Sequence, residues 1–156
     1  MGANPMSWRH PFNKKTITSR FGATANRPTA HRGLDYAPRV RTNIPAVTAG
    51  TVKLVQWSDI LGWVLVQSGW DAIKKKAVFI GYCHLNEEPK LKPGAKVAMG
   101  DVVGRVGNTG NASRGAHLHL TIGPTQKSVF GGVVFDPEVF IDEQISYCDK
   151  CGRTDA

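Results

Sequence analysis

The stretch Gly115-Ala116-His117-Leu118-His119-Leu120-Thr121 constrains this chain more than any other. Histidine and leucine alternate along it, so it reads as a β-strand with one imidazole face and one apolar face. Side chains at i and i+2 of a strand point the same way, which sends His117 and His119 into one space. An imidazole held beside an apolar core needs a hydrogen-bond partner or a metal ion. For the pair taken alone, an exposed strand face that happens to carry two histidines is an equally good account. The other histidines decide between the two.

The rest of the chain is cut into short apolar runs. Thr16 to Phe21 alternates and predicts a first strand, and Gly22 to Arg32 is loop chemistry that delivers His31-Arg32-Gly33-Leu34-Asp35-Tyr36-Ala37. Strand-length runs follow at Thr51–Val55, Trp63–Gln67, Ala77–Leu85 and Val102–Gly107, divided by turns at Ala49-Gly50, Pro93-Gly94 and Gly100-Asp101. This spacing, with no long 3.6-residue period, predicts an antiparallel all-β domain with little helix. One short helix is predicted over Asp136–Ile141, with Asp136 as N-cap and Pro137 in its first position. At 156 residues the chain suits one domain with a sizeable core. Residues 1–142 are read as that domain and 143–156 as a tail or linker.

The formal net charge of +8 invites an anionic partner, either nucleic acid or the polyanionic polymers of a bacterial wall. Only Lys74-Lys75-Lys76 forms a basic run, and it reads as a solvated hairpin tip. The charge therefore predicts non-specific attraction and no specific nucleic-acid recognition. Met1 to Pro11 carries no apolar signal-peptide core. The apolar runs fall far short of the ~20 residues of a membrane span. The expectation is a monomer made in the cytoplasm, without membrane insertion. Three cysteines, Cys83, Cys148 and Cys151, make no disulfide framework. Cys148-x-x-Cys151 is half of a zinc-knuckle spacing with no second half after it, so a redox pair or two tail thiols is the more economical reading.

Four of the five histidines stand in distinctive settings. His31 and Asp35 are four apart, and a turn around Gly33 could fold both onto one cation. His84 ends an apolar, aromatic-rich strand. Each feature has an ordinary explanation alone, but together with His117 and His119 they are hard to explain separately. Two imidazoles, one carboxylate and an open position are what a catalytic zinc site requires. The remaining imidazoles could then move protons, since no HExxH glutamate is present.

The ordered set Arg20-Phe21-Gly22, His31-x-Gly33-x-Asp35-Tyr36, Tyr82-Cys83-His84-Leu85, Gly100-Asp101 and Gly115-Ala116-His117-Leu118-His119 resembles the lysostaphin/LytM-type zinc endopeptidases of peptidoglycan. It covers roughly residues 16 to 124. The resemblance implies an antiparallel, β-sandwich-like fold with a central groove, the duplicated hybrid motif. It implies one Zn2+ per chain held by His31, Asp35 and His119, with His84 and His117 as the catalytic pair. Which of those two is the general base stays open. Some relatives carry a tyrosine a few residues before the first zinc histidine as an oxyanion donor; here the segment is Ala25-Asn26-Arg27-Pro28. In the loop before the strand, Asn108, Thr109 and Ser113 are candidates for substrate-backbone binding or for turn formation.

The function expected is therefore zinc-dependent hydrolysis of peptide bonds in peptidoglycan cross-links or stems, as in a phage-type wall lysin released through a holin or carried in a virion. The alternative within the family is a non-catalytic peptidoglycan-binding or amidase-activating protein, but such proteins typically lose site residues that this chain retains. A sugar phosphocarrier could use two facing histidines, but it has no need of the His31/Asp35 pair.

Overall fold

The computed structural model describes residues 7–151. Residues 1–6 and 152–156, and the side chain of Cys151, lie outside the described residues. The sequence readings that rest on them, the N-terminal one and the Cys148/Cys151 pair, therefore go untouched.

Nine strands and one α-helix follow in order: β1 (Ile17–Ser19), β2 (Leu34–Tyr36), β3 (Asn43–Pro45), β4 (Gly50–Ser58), β5 (Gly62–Asp71), β6 (Lys76–Leu85), β7 (Lys96–Val97), β8 (Val102–Arg105), β9 (Leu118–Gly123) and α1 (Pro137–Cys151). Seven strands form one antiparallel sheet in the order β1-β2-β9-β6-β5-β4-β7, and β3 pairs with β8 in a small antiparallel ribbon. The fold is antiparallel all-β with little helix.

Strand alternation divides the large sheet into two faces. Leu118, Leu120 and Ile122 of β9, Ile80 and Tyr82 of β6, and Leu65 of β5 are wholly buried in the main core, together with Ile44 of the ribbon. Residues of opposite parity, Cys83 of β6 with Val64 and Val66 of β5, form a second small cluster with Val129 from the short helical turn Gln126–Val129. His119 shares that second face, because it pairs directly with Cys83. Inside the main core the Tyr82 hydroxyl donates to Gln67 Oε1 at 2.6 Å and accepts the Val47 amide at 3.0 Å. A polar group is thereby buried without an unmet partner.

Two elements differ from the sequence reading. Leu34–Tyr36, for which the sequence predicted no strand, is strand β2 with every residue buried. Three residues are too short a run to show alternation, and neighbouring strands supply its ladder bonds. The predicted helix over Asp136–Ile141 extends to Cys151, so the first nine residues of the expected tail are helical. Its start is as predicted: Asp136 Oδ1 accepts the amides of Glu138 and Val139 at 3.0 and 3.3 Å. What extends it is docking that the local pattern does not reveal. Phe140 packs edge-on against Trp8 at 5.1 Å, and Ile141 is wholly buried. Gln144, also buried, accepts the Ala72 amide at 3.0 Å and donates to Asp71 Oδ1 at 2.9 Å. Among the described residues no helix is long and apolar enough to cross a membrane.

Gln144→Ala strands the buried Ala72 amide. The expected loss is about 1–3 kcal/mol of stability, read from denaturant midpoints. A loss below measurement error would mean that α1 is not docked through this residue.

Candidate metal centre and active-site groove

Strand register assembles the site. Asp35 is the direct partner of His119 across the β2–β9 ladder, and such partners stand about 4.5–5.5 Å apart at Cβ. Carboxylate and imidazole therefore meet without either leaving its strand, and Asp35 Oδ1 lies 2.9 Å from His119 Nδ1. His31 arrives from the loop before β2, with Nε2 3.1 Å from Asp35 Oδ1 and 3.2 Å from His119 Nδ1. Its Nδ1 lies 3.1 Å from the Arg20 carbonyl and 3.0 Å from Ser19 Oγ. A carbonyl only accepts, so the proton belongs on Nδ1 and Nε2 turns a lone pair toward the cluster. Gly33 makes room: a Cβ there would fall 2.5 Å from the Leu120 carbonyl oxygen and 2.6 Å from His119 Cε1.

Two imidazole nitrogens and one carboxylate oxygen thus form a triangle with sides of 2.9, 3.1 and 3.2 Å. A tetrahedral cation with bonds of about 2.0–2.1 Å would set such sides at roughly 3.3–3.4 Å. The triangle agrees to within a few tenths of an ångström, and its N,N,O donor set suits zinc. Burial by itself would raise the Asp35 carboxyl, but its close contacts with the His119 and His31 imidazoles outweigh that and hold the group well below the usual carboxylate range. Burial lowers His119, with the Asp35 hydrogen bond acting against it. Both shifts favour the forms that ligate metals, carboxylate and neutral imidazole.

His84 reaches the same space through a backbone irregularity. Between the pairs Leu65↔Tyr82 and Trp63↔Leu85, β5 advances two residues and β6 three, so β6 carries a bulge. His84 sits in it with φ of 62°, a left-handed conformation costly for any residue but glycine. Tyr82 and Leu85 both keep their places in the core, and the extra residue is turned out to the groove. The bulge's freed groups are met locally. The Leu61 carbonyl accepts the His84 amide at 2.7 Å, and Thr109 Oγ1 donates to the Leu85 carbonyl at 2.7 Å while accepting the Trp63 amide at 3.2 Å. The Thr109 carbonyl accepts from His84 Nδ1 at 2.7 Å, which leaves Nε2 bare toward the groove. Burial pushes the His84 imidazole down to about 4, so it is neutral at pH 7.

His117 stands just before β9, bridged to Gly107, and donates from Nδ1 to the Gly115 carbonyl at 2.8 Å. Its Nε2 lies 3.8 Å from Asp35 Oδ2, and its ring centre is 4.7 Å from that of His84. The structure thus brings His31, Asp35, His84, His117 and His119 together, and all five line an open groove of about 810 Å³. The loop candidates take structural tasks. Asn108 Oδ1 accepts the Gly115 amide at 2.9 Å and the Ser113 hydroxyl at 2.5 Å. The fixing of both imidazoles by main-chain carbonyls escaped the sequence reading, because a carbonyl carries no sequence signal. Cys83 is buried behind His119 with its thiol pushed up by that burial, so it is inert as a nucleophile.

Residues 29–130 match Peptidase family M23, and the chain belongs to that family of metallopeptidases. It is 31% identical over 117 residues to the peptidoglycan DD-endopeptidase ShyC of Vibrio cholerae, covering 71% of this chain and 25% of that protein. The solved structure of LytU superposes with a TM-score of 0.69 at 31% identity, covering 88% of this chain and 91% of that one. A zinc-containing peptidase from Vibrio cholerae superposes with a TM-score of 0.61 at 25% identity, over 79% of this chain and 37% of that one. The chain spans a third or less of the length of the curated relatives it matches.

The left-handed backbone at position 84 gives a prediction independent of chemistry. His84→Gly and His84→Ala remove the same imidazole, but only glycine relieves the conformation. His84→Gly is expected to be the more stable of the two by about 1 kcal/mol, measured by chemical denaturation. The opposite order would mean that the bulge is absent.

Proposed function

We propose that this domain is a zinc-dependent endopeptidase that hydrolyses peptide bonds in bacterial peptidoglycan cross-links or stems. The observation that carries the reading is the convergence of the His31–Asp35–His119 triangle and two further imidazoles on one open groove. Family membership supports peptidase chemistry, the peptidoglycan endopeptidase relative supports the substrate, and the zinc-containing relative supports the metal. The excess of basic residues favours adsorption to anionic wall polymers.

In this reading His31 Nε2, Asp35 Oδ1 and His119 Nδ1 hold one zinc per chain. Bound there, zinc would supply Lewis-acid polarisation and lower the pKa of a water molecule toward neutrality. The protein's own part is proton transfer. His84 and His117 each have Nδ1 committed to a main-chain carbonyl, so each presents Nε2 as an acceptor. One of the pair takes the proton of the attacking water at Nε2 and returns it to the leaving amine as the peptide bond breaks. The imidazolium so formed is a donor and a positive charge beside the tetrahedral intermediate, where it stabilises the developing oxyanion. Burial holds His84 neutral at rest, so its Nε2 carries a lone pair, but the same burial disfavours the protonated form.

The test is digestion of purified peptidoglycan from several wall types, with and without chelator and added zinc, reading new amino termini by mass spectrometry. Zinc-dependent release of one new amine is expected; no release by zinc-loaded protein would overturn the reading in favour of a binding or activating role. Removal of one of three protein ligands in His119→Ala is expected to abolish both metal content and activity. His117→Ala is expected to keep its metal and lose at least ~100-fold in rate. Stoichiometric zinc in His119→Ala would refute the ligand set, and full activity in His117→Ala would refute its place in the proton-transfer pair.

A further inference from the structure

One charged group beside the cluster has no part in the chemistry above. Arg27 follows Asn26, whose φ is 57°, and its amide donates to the Thr24 carbonyl at 3.1 Å, closing a turn. Its Nη2 donates to Ser19 Oγ at 3.1 Å and lies 3.6 Å from Asp35 Oδ2. His117 Nε2 lies 3.8 Å from the same oxygen. A guanidinium and a proton-accepting imidazole thus flank one carboxylate oxygen at the edge of the metal triangle, where a peptide bond must lie to be cut. Ser19 occupies one of the guanidinium's five N–H donors, and the side chain is 32% exposed to the groove.

The other groove charges sharpen the assignment. Arg32 is spent on the wall, donating to the Gly132 and Ser128 carbonyls at 2.6 Å each. Arg114 lines the groove beside His117. Among the described residues the only acid lining the groove is Asp35, already engaged by His119 and His31. Arg27 is ion-paired with Asp35 at 3.6 Å, too long for a hydrogen bond, so its guanidinium still has N–H donors to offer a substrate, and its charge is permanent because a guanidinium does not deprotonate in a protein. Arg27 also falls just outside residues 29–130, so family membership does not account for it.

We propose that Arg27 binds a free carboxylate of the substrate next to the scissile bond. The groove then selects cross-links whose leaving amine sits on a carbon that also bears a carboxylate, as in a diaminopimelate-type cross-link. It discriminates against the interior of a glycine bridge, which has no charge there. The selection rests on the peptidase reading of the groove. Its physical basis is the planar N–H fork of arginine, which matches a carboxylate with two parallel hydrogen bonds. A lysine offers only a point charge and would satisfy it in part.

The test uses two synthetic cross-link peptides, identical except that the carboxylate beside the scissile bond is free in one and amidated in the other. Zinc content of Arg27→Gln and Arg27→Lys is measured first, and it is expected to equal that of the parent protein. Loss of a charge-assisted pair predicts that Arg27→Gln raises KM for the free-carboxylate peptide by ~10–100-fold. Amidation is expected to do the same to the parent protein, and combining the two to add little. Arg27→Lys should be intermediate. A fall in kcat of equal size on both peptides would place Arg27 on the developing oxyanion and overturn the proposal, and so would unchanged kinetics on both. If the parent protein cuts neither peptide, the peptidase reading falls. Calorimetric titration of both peptides into His117→Ala still decides the point for Arg27. Preference for the free carboxylate, abolished by adding Arg27→Gln, supports the proposal, and equal binding of the two peptides overturns it.

Discussion

The register of three antiparallel strands, β2, β9 and β6, is the constraint on which the rest depends. Leu34 pairs with Leu120 and Tyr36 with Leu118, and all four side chains are wholly buried. A slip of β2 by one residue would turn Leu34 and Tyr36 out of the core and Asp35 into it, away from His119. Hydrophobic burial at about 25 cal/mol per Å2 therefore fixes, at no cost in functional residues, the pairing that sets carboxylate beside imidazole. The cluster is a by-product of the core's own alternation. That is why a site of charged and polar groups can stand on rigid backbone.

Where alternation would have defeated the site, the fold breaks it. His84 follows Cys83 and precedes Leu85, and strict alternation would have pointed it into the core. The bulge inserts one residue, the left-handed φ absorbs the change of direction, and the loop carrying Thr109 meets the groups that the bulge frees. Strain is placed at the one position where a regular strand could not deliver the side chain. Three hydrogen bonds from a single threonine secure both the bulge and the imidazole.

Electrostatics completes the arrangement. Burial depresses His84 and His119, while Asp35 is kept ionised against its own burial by two imidazole partners. At neutral pH this combination yields a carboxylate next to unprotonated nitrogens, a donor set waiting for a cation. Around it the groove wall is basic, with Arg27 and Arg114 facing the space in which a substrate would lie.

The sequence alone determined the antiparallel all-β class, because short apolar runs divided by Gly/Pro turns leave few other solutions. It also singled out the five residues that the fold gathers, through the His117-x-His119 alternation and the ordered motifs around it. It could not show that Leu34–Tyr36 is a strand, since three buried residues have no period, nor that α1 runs on to Cys151, since that length comes from contacts of Phe140, Ile141 and Gln144 with distant segments. Tertiary structure alone decided three further things: the Asp35–His119 pairing, the outward turn of His84, and the approach of Arg27 to the His31–Asp35–His119 cluster. Each depends on register or on loop closure between residues far apart in the chain. Local sequence specifies which side chains are available, but distances between them are fixed only when the sheet is paired.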